Sequence, residues 1–376
     1  ASLLLFGDFR EPCRLCPRGG RPPLPSVCLP EEAVFSDWVV TDANPRHPGV
    51  LHFVFLVGSA LPNAAIWMRF FADAPHGSFH IWVHCSDPGC CLDGPLWTTL
   101  PNLMVVPTTE SWHCVDTVSP VAQTLRFATK SPARPSGVME KFLVMSASTL
   151  PAKPFLVIFD ELMASPDSDF CFFNRGWVNV VVNGTNATVP KHAEWVVLNR
   201  SNAEAFARHW VPSSQRPGLS PVGGSDLIAR APNALRYFIR PFIASAILLR
   251  NASFRKFEHE IPSGCVAEYA AFLMAFGVVP RTRYAKIRSE SRCRTFVAFT
   301  LWLDLDPAGP RPSLSLWRRM LADPELRVIL QNGIHPPEFL RLGNRSLRAL
   351  RASPFLFARK FAANISTSPI DRDMFV

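Results

Sequence analysis

The sequence predicts an α/β fold, a mixed and mostly parallel sheet flanked by helices. Three observations carry that expectation. Short apolar runs alternate with segments of helical spacing along the chain. The first such unit, His52–Val57, the helical pattern through Trp67, Phe70 and Phe71, and Phe79–Val83, has the spacing of a parallel strand–helix–strand unit. With 376 residues and 48% apolar composition, the chain can bury a sizeable core.

Residues 1–48 hold eight prolines and little periodicity, and read as an extended stem or linker. The folded domain is expected over residues 49–368, with a tail at 369–376. His52–Val57 closes at Gly58, and Leu61-Pro62 introduces the first helix. Ligand-binding loops are expected at the carboxyl ends of parallel strands, here near Gly58 and from His84 to Asp87. Leu103–Val106 reads as a strand, Ser119–Lys130 as a helix, and Lys141–Met145 as a strand ending in Ser146-Ala147-Ser148. Leu150-Pro151 then feeds a helix, Phe155–Met163. Trp195–Leu198 reads as a strand ending in Asn199-Arg200, with a helix over Asn202–Trp210. Residues 212–226, rich in Pro, Gly and Ser, read as a loop. A short helix is expected over Glu268–Phe276, then a basic stretch from Arg281 to Arg294 and a strand over Phe296–Trp302. Residues 326–361 mix short apolar runs with arginines, and no repeat of solenoid length occurs.

The formal net charge is +9, and of 39 basic residues only 7 are lysines. Arginine excess favours phosphate or carboxylate partners, although a solvated basic surface explains it equally. No zinc-finger spacing, RNP-like aromatic motif or basic heptad region is present, so no nucleic-acid partner is expected. No run reaches the roughly 18 apolar residues of a membrane-spanning helix, and Ala1–Phe6 is too short for a signal-peptide core. Any membrane anchor is expected upstream.

Six Asn-X-Ser/Thr sequons, at Asn183, Asn186, Asn199, Asn251, Asn344 and Asn364, favour a glycosylated lumenal or secreted protein. Ten cysteines are compatible with disulfides, and equally with buried thiols. Cys13-x-x-Cys16 has no second ligand pair nearby and does not read as a zinc site.

Several blocks, in order over about residues 50–366, resemble the core-2/I-branching N-acetylglucosaminyltransferase family in its plant and algal branch. Phe53 through Leu61-Pro62, Trp67, Phe70-Phe71 and Phe79–His84 is similar to that family's opening strand, "LP…W…FF" helix and "IYVH" strand. Lys141–Pro151 is similar to its "LLSESCIPL" segment, and Glu194–Arg200 followed by Ala203 to its "QWFxLxRxxA". Pro354–Phe361 resembles its terminal "LFARKF" almost letter for letter. The resemblance implies a GT-A-like nucleotide-sugar transferase fold and a Golgi-lumenal, type II membrane protein. It also implies inverting transfer from a UDP-sugar, first of all UDP-GlcNAc, to a glycan or glycoprotein acceptor, without a metal or other cofactor.

Such a transfer needs a base for the acceptor hydroxyl and positive charge for the departing diphosphate. The family's base is a Glu in a "DEHY" segment; the resemblance assigns that role to Glu268, although the flanking Asp and His are missing here. An N-terminal helix carboxylate facing the dipole is the alternative for Glu268. Lys360 maps onto the lysine of the terminal motif, with Arg359 beside it and Arg341 as a candidate second cation, while an ordinary surface lysine is the alternative for Lys360. His84, Asp87, Gly58, Ser146 and Trp302 are candidates for the nucleotide or sugar pocket. Loop capping explains His84 and Asp87 equally, and core packing explains Trp195. Asp304-Leu305-Asp306 and Asp167-Ser168-Asp169 are the strings that would hold a divalent ion if one is used. A non-catalytic carbohydrate-binding protein of the same fold, or a xylosyl- or glucuronosyltransferase of the broad family, are the rival expectations.

Overall fold

The structure is a computed structural model that describes residues 49–58, 61–86, 102–107, 109, 117–130, 138–173, 178–210, 254–257, 266–290, 296–300, 311–329 and 337–366. The expected stem (1–48), the loop at 212–226 and the tail (369–376) lie outside the described residues.

β1 (Gly49–Val57) leads through α1 (Ala64–Ala72) to β2 (Phe79–Cys85), then β3 (Leu103–Val106), α2 (Val118–Ala128) and β4 (Met139–Ser146). β5 (Leu150–Pro151) and α3 (Phe155–Met163) follow, then the hairpin β6 (Val178–Val182) and β7 (Thr185–Val189), β8 (Val197–Asn199) and α4 (Arg200–His209). The second half holds β9 (Phe254–Phe257), α5 (Ala267–Phe276), β10 (Val279–Pro280), α6 (Arg281–Glu290), β11 (Phe296–Thr300) and α7 (Arg311–Leu321). It closes with β12 (Arg327–Ile329), β13 (Glu338–Arg341), α8 (Asn344–Arg351), β14 (Phe355–Arg359) and β15 (Phe361–Ser366).

The central sheet has the order β3-β2-β1-β4-β8. Its pairs are parallel except β4 with β8, which is antiparallel. β1 is a near-continuous apolar run because helices cover both faces of the sheet, as parallel strands require. Alternation divides its residues between two cores. Leu51, Phe53, Phe55 and Val57 pack with Ile81, Val83, Leu143 and the aromatic face of α1, Trp67, Phe70 and Phe71. Val54, Trp82, Phe142 and Val144 pack against α2, α4 and α5 on the opposite side. Phe53 meets Phe71 edge-on at 5.0 Å and Phe55 meets Trp67 edge-on at 4.9 Å, the geometry preferred by aromatic quadrupoles.

Three smaller sheets surround this centre, in the orders β10-β7-β6-β9, β11-β14-β5 and β12-β13-β15. The β6–β7 hairpin closes through Asn183 and Gly184, both at positive φ (51° and 78°), the backbone that favours Asn-Gly between twisted strands. Asp323 caps α8: its carboxylate accepts the Ser346 N–H at 2.7 Å and the Glu325 N–H at 3.1 Å. A Cβ at Gly343 would meet that carboxylate at 2.6 Å, so the cap requires glycine there. Burial acts against the Asp323 charge, but these backbone donors outweigh it and hold the carboxyl below its ordinary value. Among the described residues no helix is long and apolar enough to cross a membrane.

A buried polar chain ties the sheet to its helices. Trp82 Nε1 donates to His52 Nδ1 at 3.1 Å, so His52 carries its proton on Nε2 and gives it to Glu140 Oε1, also at 3.1 Å. Glu140 Oε2 accepts from Arg200 Nη1 at 2.8 Å, and Arg200 reaches Glu204 at 2.8 Å and the Thr129 carbonyl at 2.9 Å. Burial pushes the Glu140 carboxyl upward, but His52 and Arg200 outweigh it and leave it below its ordinary range. Glu140→Ala would leave Arg200 facing the gap, and is expected to lower the unfolding free energy by about 3 kcal/mol in urea titrations. A loss under about 0.5 kcal/mol would show that the chain of bonds contributes little beyond packing.

Candidate functional site

Parallel strands align their carboxyl ends, and here β1, β2 and β4 end on one rim. The Ser86 N–H donates to the Val57 carbonyl at 3.0 Å and its hydroxyl to the Gly58 carbonyl at 3.2 Å. The Ala147 N–H donates to the Leu56 carbonyl at 3.0 Å. Ser146 Oγ then lies 3.1 Å from Ser148 Oγ and 3.0 Å from Thr149 Oγ1, a cluster of three hydroxyls on the rim. Crevices at such carboxyl ends are where α/β sheets bind ligands.

The C-terminal strand is delivered to the same rim. β14 pairs antiparallel with β5, Ala358 opposite Leu150, and the Phe361 N–H donates to the Ser148 carbonyl at 2.9 Å. Arg359 and Lys360 therefore pass directly beside the hydroxyl cluster. The Arg359 guanidinium lies 4.3 Å from the centre of the Trp195 ring, and its Nε is shielded from solvent without a hydrogen-bond partner. Burial draws the Arg359 pKa down to about 10, with the charge of Glu194 acting in the opposite direction. The group is thus a cation with one shielded N–H left without an acceptor.

Glu268 connects to the same region through one strap. It lies in the first turn of α5, 14% exposed, and its carboxylate is 3.2 Å from Lys191 Nζ. From Lys191 the chain runs four residues to Trp195, so the backbones at the two ends are at most about 14 Å apart. The strap is pinned by Phe173 N–H to the Lys191 carbonyl (2.9 Å), His192 N–H to the Glu268 carbonyl (2.8 Å), Ala193 N–H to the Cys171 carbonyl (2.8 Å) and Val144 N–H to the Val196 carbonyl (3.0 Å). His192 is fully buried. Its Nδ1 donates to the Ala193 carbonyl at 2.7 Å and its Nε2 accepts the Phe272 N–H at 3.3 Å, which fixes the middle of α5 against the strap. Burial drives its pKa down to about 4, so the ring is neutral.

The remaining expected residues fall differently. His84 is buried, and its Nε2 accepts the Thr109 N–H at 2.9 Å; burial lowers its pKa to about 4, and the ring anchors a loop segment as a neutral acceptor. Arg341 is exposed on β13 and pairs with Glu325 at 2.8 Å, a surface pair on a strand that neighbours β12 and β15. No contact joins it to Arg359 or Glu268 among the described residues. Asp167 and Asp169 flank the fully buried Lys141, whose ammonium donates to the Asp167 carbonyl. Between them, Ser168 Oγ accepts from the Asn199 N–H and from Asn202 Nδ2. That string therefore builds a turn. Asp87, Trp302, Asn251 and the Asp304-Leu305-Asp306 string lie outside the described residues. Among the described residues no group of three His, Cys, Asp or Glu side chains is placed to hold a metal.

Lys191 and His192 carry no motif of their own in the sequence; the one signal is the Glu194–Arg200 block, which overlaps the last two residues of the strap. Trp195 is half-buried against the second core and also stacks on Arg359, so core packing accounts for only one of its faces.

The two neutral rings predict a pH response. An unfolded histidine protonates near 6.5, while His84 and His192 resist until about 4, so the unfolded chain binds more protons between those values. Stability is therefore expected to fall as pH drops from about 6.5 toward 4, by about 2–3 kcal/mol per ring. Urea midpoints across that range, compared with His192→Gln, test this; an equal slope in the variant would remove His192 from the effect. No protein-family model matches the chain, and no curated protein sequence matches it either.

Proposed function

We propose that the chain is an inverting glycosyltransferase that moves a sugar, GlcNAc first among candidates, from a UDP-sugar to a hydroxyl of a glycan or glycoprotein. The family resemblance supplies the reaction class and the GT-A form of the fold. The observation that carries the reading is the under-compensated Arg359 at the carboxyl rim, beside Lys360 and the Ser146–Thr149 hydroxyls, with Glu268 at the other end of a four-residue strap.

In this reading the donor diphosphate lies against Arg359 and Lys360, and the rim hydroxyls bind the nucleotide or sugar. Glu268 takes the proton from the acceptor hydroxyl as that oxygen bonds to the sugar C1 from the face opposite the diphosphate. The C1–oxygen bond to phosphate breaks, and UDP leaves with the electron pair. Guanidinium and ammonium charges in a water-depleted crevice stabilise that leaving group more than they would in bulk water. Lys191 keeps the Glu268 carboxylate in place before an acceptor arrives.

The same Lys191–Glu268 pair supports a second reading, a non-catalytic carbohydrate-binding protein of this fold, because a carboxylate held by an ammonium is partly occupied. A xylosyl- or glucuronosyltransferase differs from the first reading only in the donor sugar.

A panel of UDP-sugars, scored by shift in thermal midpoint with and without EDTA and by UDP release, separates these readings. One donor is expected to stabilise the protein equally in chelator and to be turned over. Glu268→Gln is expected to lower turnover about 10²–10⁴-fold while the donor still shifts the midpoint. Arg359→Gln is expected to lower turnover about 10²–10³-fold. Donor binding without turnover favours the non-catalytic reading; no shift with any UDP-sugar removes both.

A further inference from the structure

Three of the sequons, at Asn183, Asn186 and Asn199, lie close together in sequence, and the fold sorts them. Asn183 is exposed at the tip of the β6–β7 hairpin, where a Cβ placed on the adjacent Gly184 would meet nothing within 4 Å. Asn186 is exposed on β7 opposite Val181, while the next residue, Ala187, points into the core. Asn199 is spent on structure. Its side-chain carbonyl accepts the Asn202 N–H at 3.0 Å as the cap of α4, and its amide nitrogen donates to the Pro166 carbonyl at 3.1 Å. Arg200, next in the chain, is locked into the buried Glu140 network. A sugar on that amide would displace the Pro166 contact at the start of the helix. Cys85 and Cys171 are both disulfide-bonded, a state favoured in oxidising compartments of the kind where asparagines are glycosylated.

We infer that the β6–β7 hairpin is a glycan-bearing element, with Asn183 and Asn186 as acceptors of N-linked oligosaccharide and Asn199 left unmodified. In the transfer, the asparagine Nδ2 bonds to C1 of an oligosaccharide carried on a lipid diphosphate. The C1–oxygen bond breaks, the lipid diphosphate leaves, and the amide gives up one proton to the host's oligosaccharyltransferase. This inference stands on exposure and capping, independently of any transferase activity of the chain itself.

The full chain, secreted from eukaryotic cells behind a signal peptide, is mapped by glycopeptide mass spectrometry before and after treatment with peptide-N-glycosidase. An untreated sample controls for spontaneous deamidation at Asn183-Gly184. Oligosaccharide is expected on at least one hairpin asparagine. It should be lost from Asn183 in Thr185→Ala and from Asn186 in Asn186→Gln, and Asn199→Gln should leave the glycan mass unchanged. Both hairpin asparagines bare, or oligosaccharide on Asn199 of the folded secreted protein, would overturn the inference. The wild-type map decides even if a variant fails to fold.

Discussion

The parallel pairing of β1 with both β2 and β4 is the constraint on which the rest of the molecule depends. Val57 pairs with Cys85 and Leu56 with Ser146, so three strands stop within a residue of one another and their following loops share one rim. A one-residue slip of β1 would exchange the faces of Leu51, Phe53 and Phe55 with those of His52 and Val54. The aromatic side of α1 would then face a histidine, and the Trp82–His52–Glu140 bonds would be lost. Register is thus enforced from both faces, by apolar burial on one and by a directional polar chain on the other.

From that rim the chemistry of the candidate site follows by connection. β5 continues from the hydroxyl cluster after β4 and pairs with β14, so the end of β14 must pass beside Ser148. The strap from Lys191 to Trp195 leads into β8, which closes the same sheet next to β4. Two segments far apart in sequence are thus held on either side of β4: the one bearing Arg359 pairs with β5, which follows β4 in the chain, and the one touching Glu268 leads into β8, which pairs with β4. Asp323 contributes at a distance, because its cap starts α8, the helix that leads into β14.

Periodicity made the first half of the fold legible. The apolar runs at β1, β2, β3 and β4 and the helical spacing of α1, α2, α3 and α4 all exist, with ends shifted by a few residues. Asn183-Gly184 is a strong hairpin signal, but periodicity does not reveal the β6–β7 hairpin, because β6 is valine-rich whereas β7, Thr185–Val189, is largely polar and carries no apolar alternation of its own. The basic stretch after residue 280 includes a helix, α6, whose charged residues leave too weak an apolar stripe to read. Between residues 326 and 361 the strands are three to five residues long, shorter than any periodic pattern can establish. In the candidate site, motif resemblance singles out Glu268, Arg359, Lys360 and Ser146, whereas it reaches only the last two residues of the Lys191–Trp195 strap. Its role comes from tertiary position: His192 is indistinguishable in sequence from a surface histidine until Phe272 and Ala193 are placed around it. His84 shows the converse, a residue at a strand end where ligand contact is expected from sequence but whose acceptor nitrogen receives the Thr109 N–H.

Arginine at position 359 is a chemical choice as well as a matter of shape. Burial there draws a guanidinium down to about 10, and it remains a full cation at neutral pH. An ammonium starts lower, and burial already depresses Lys141 and Lys153 in this chain even where backbone carbonyls receive them. A lysine held as Arg359 is held would therefore sit closer to losing its proton. Its point charge would also lack the flat face that stacks on Trp195. A position that keeps its positive charge while shielded from solvent beside an aromatic ring suits a planar group that does not titrate.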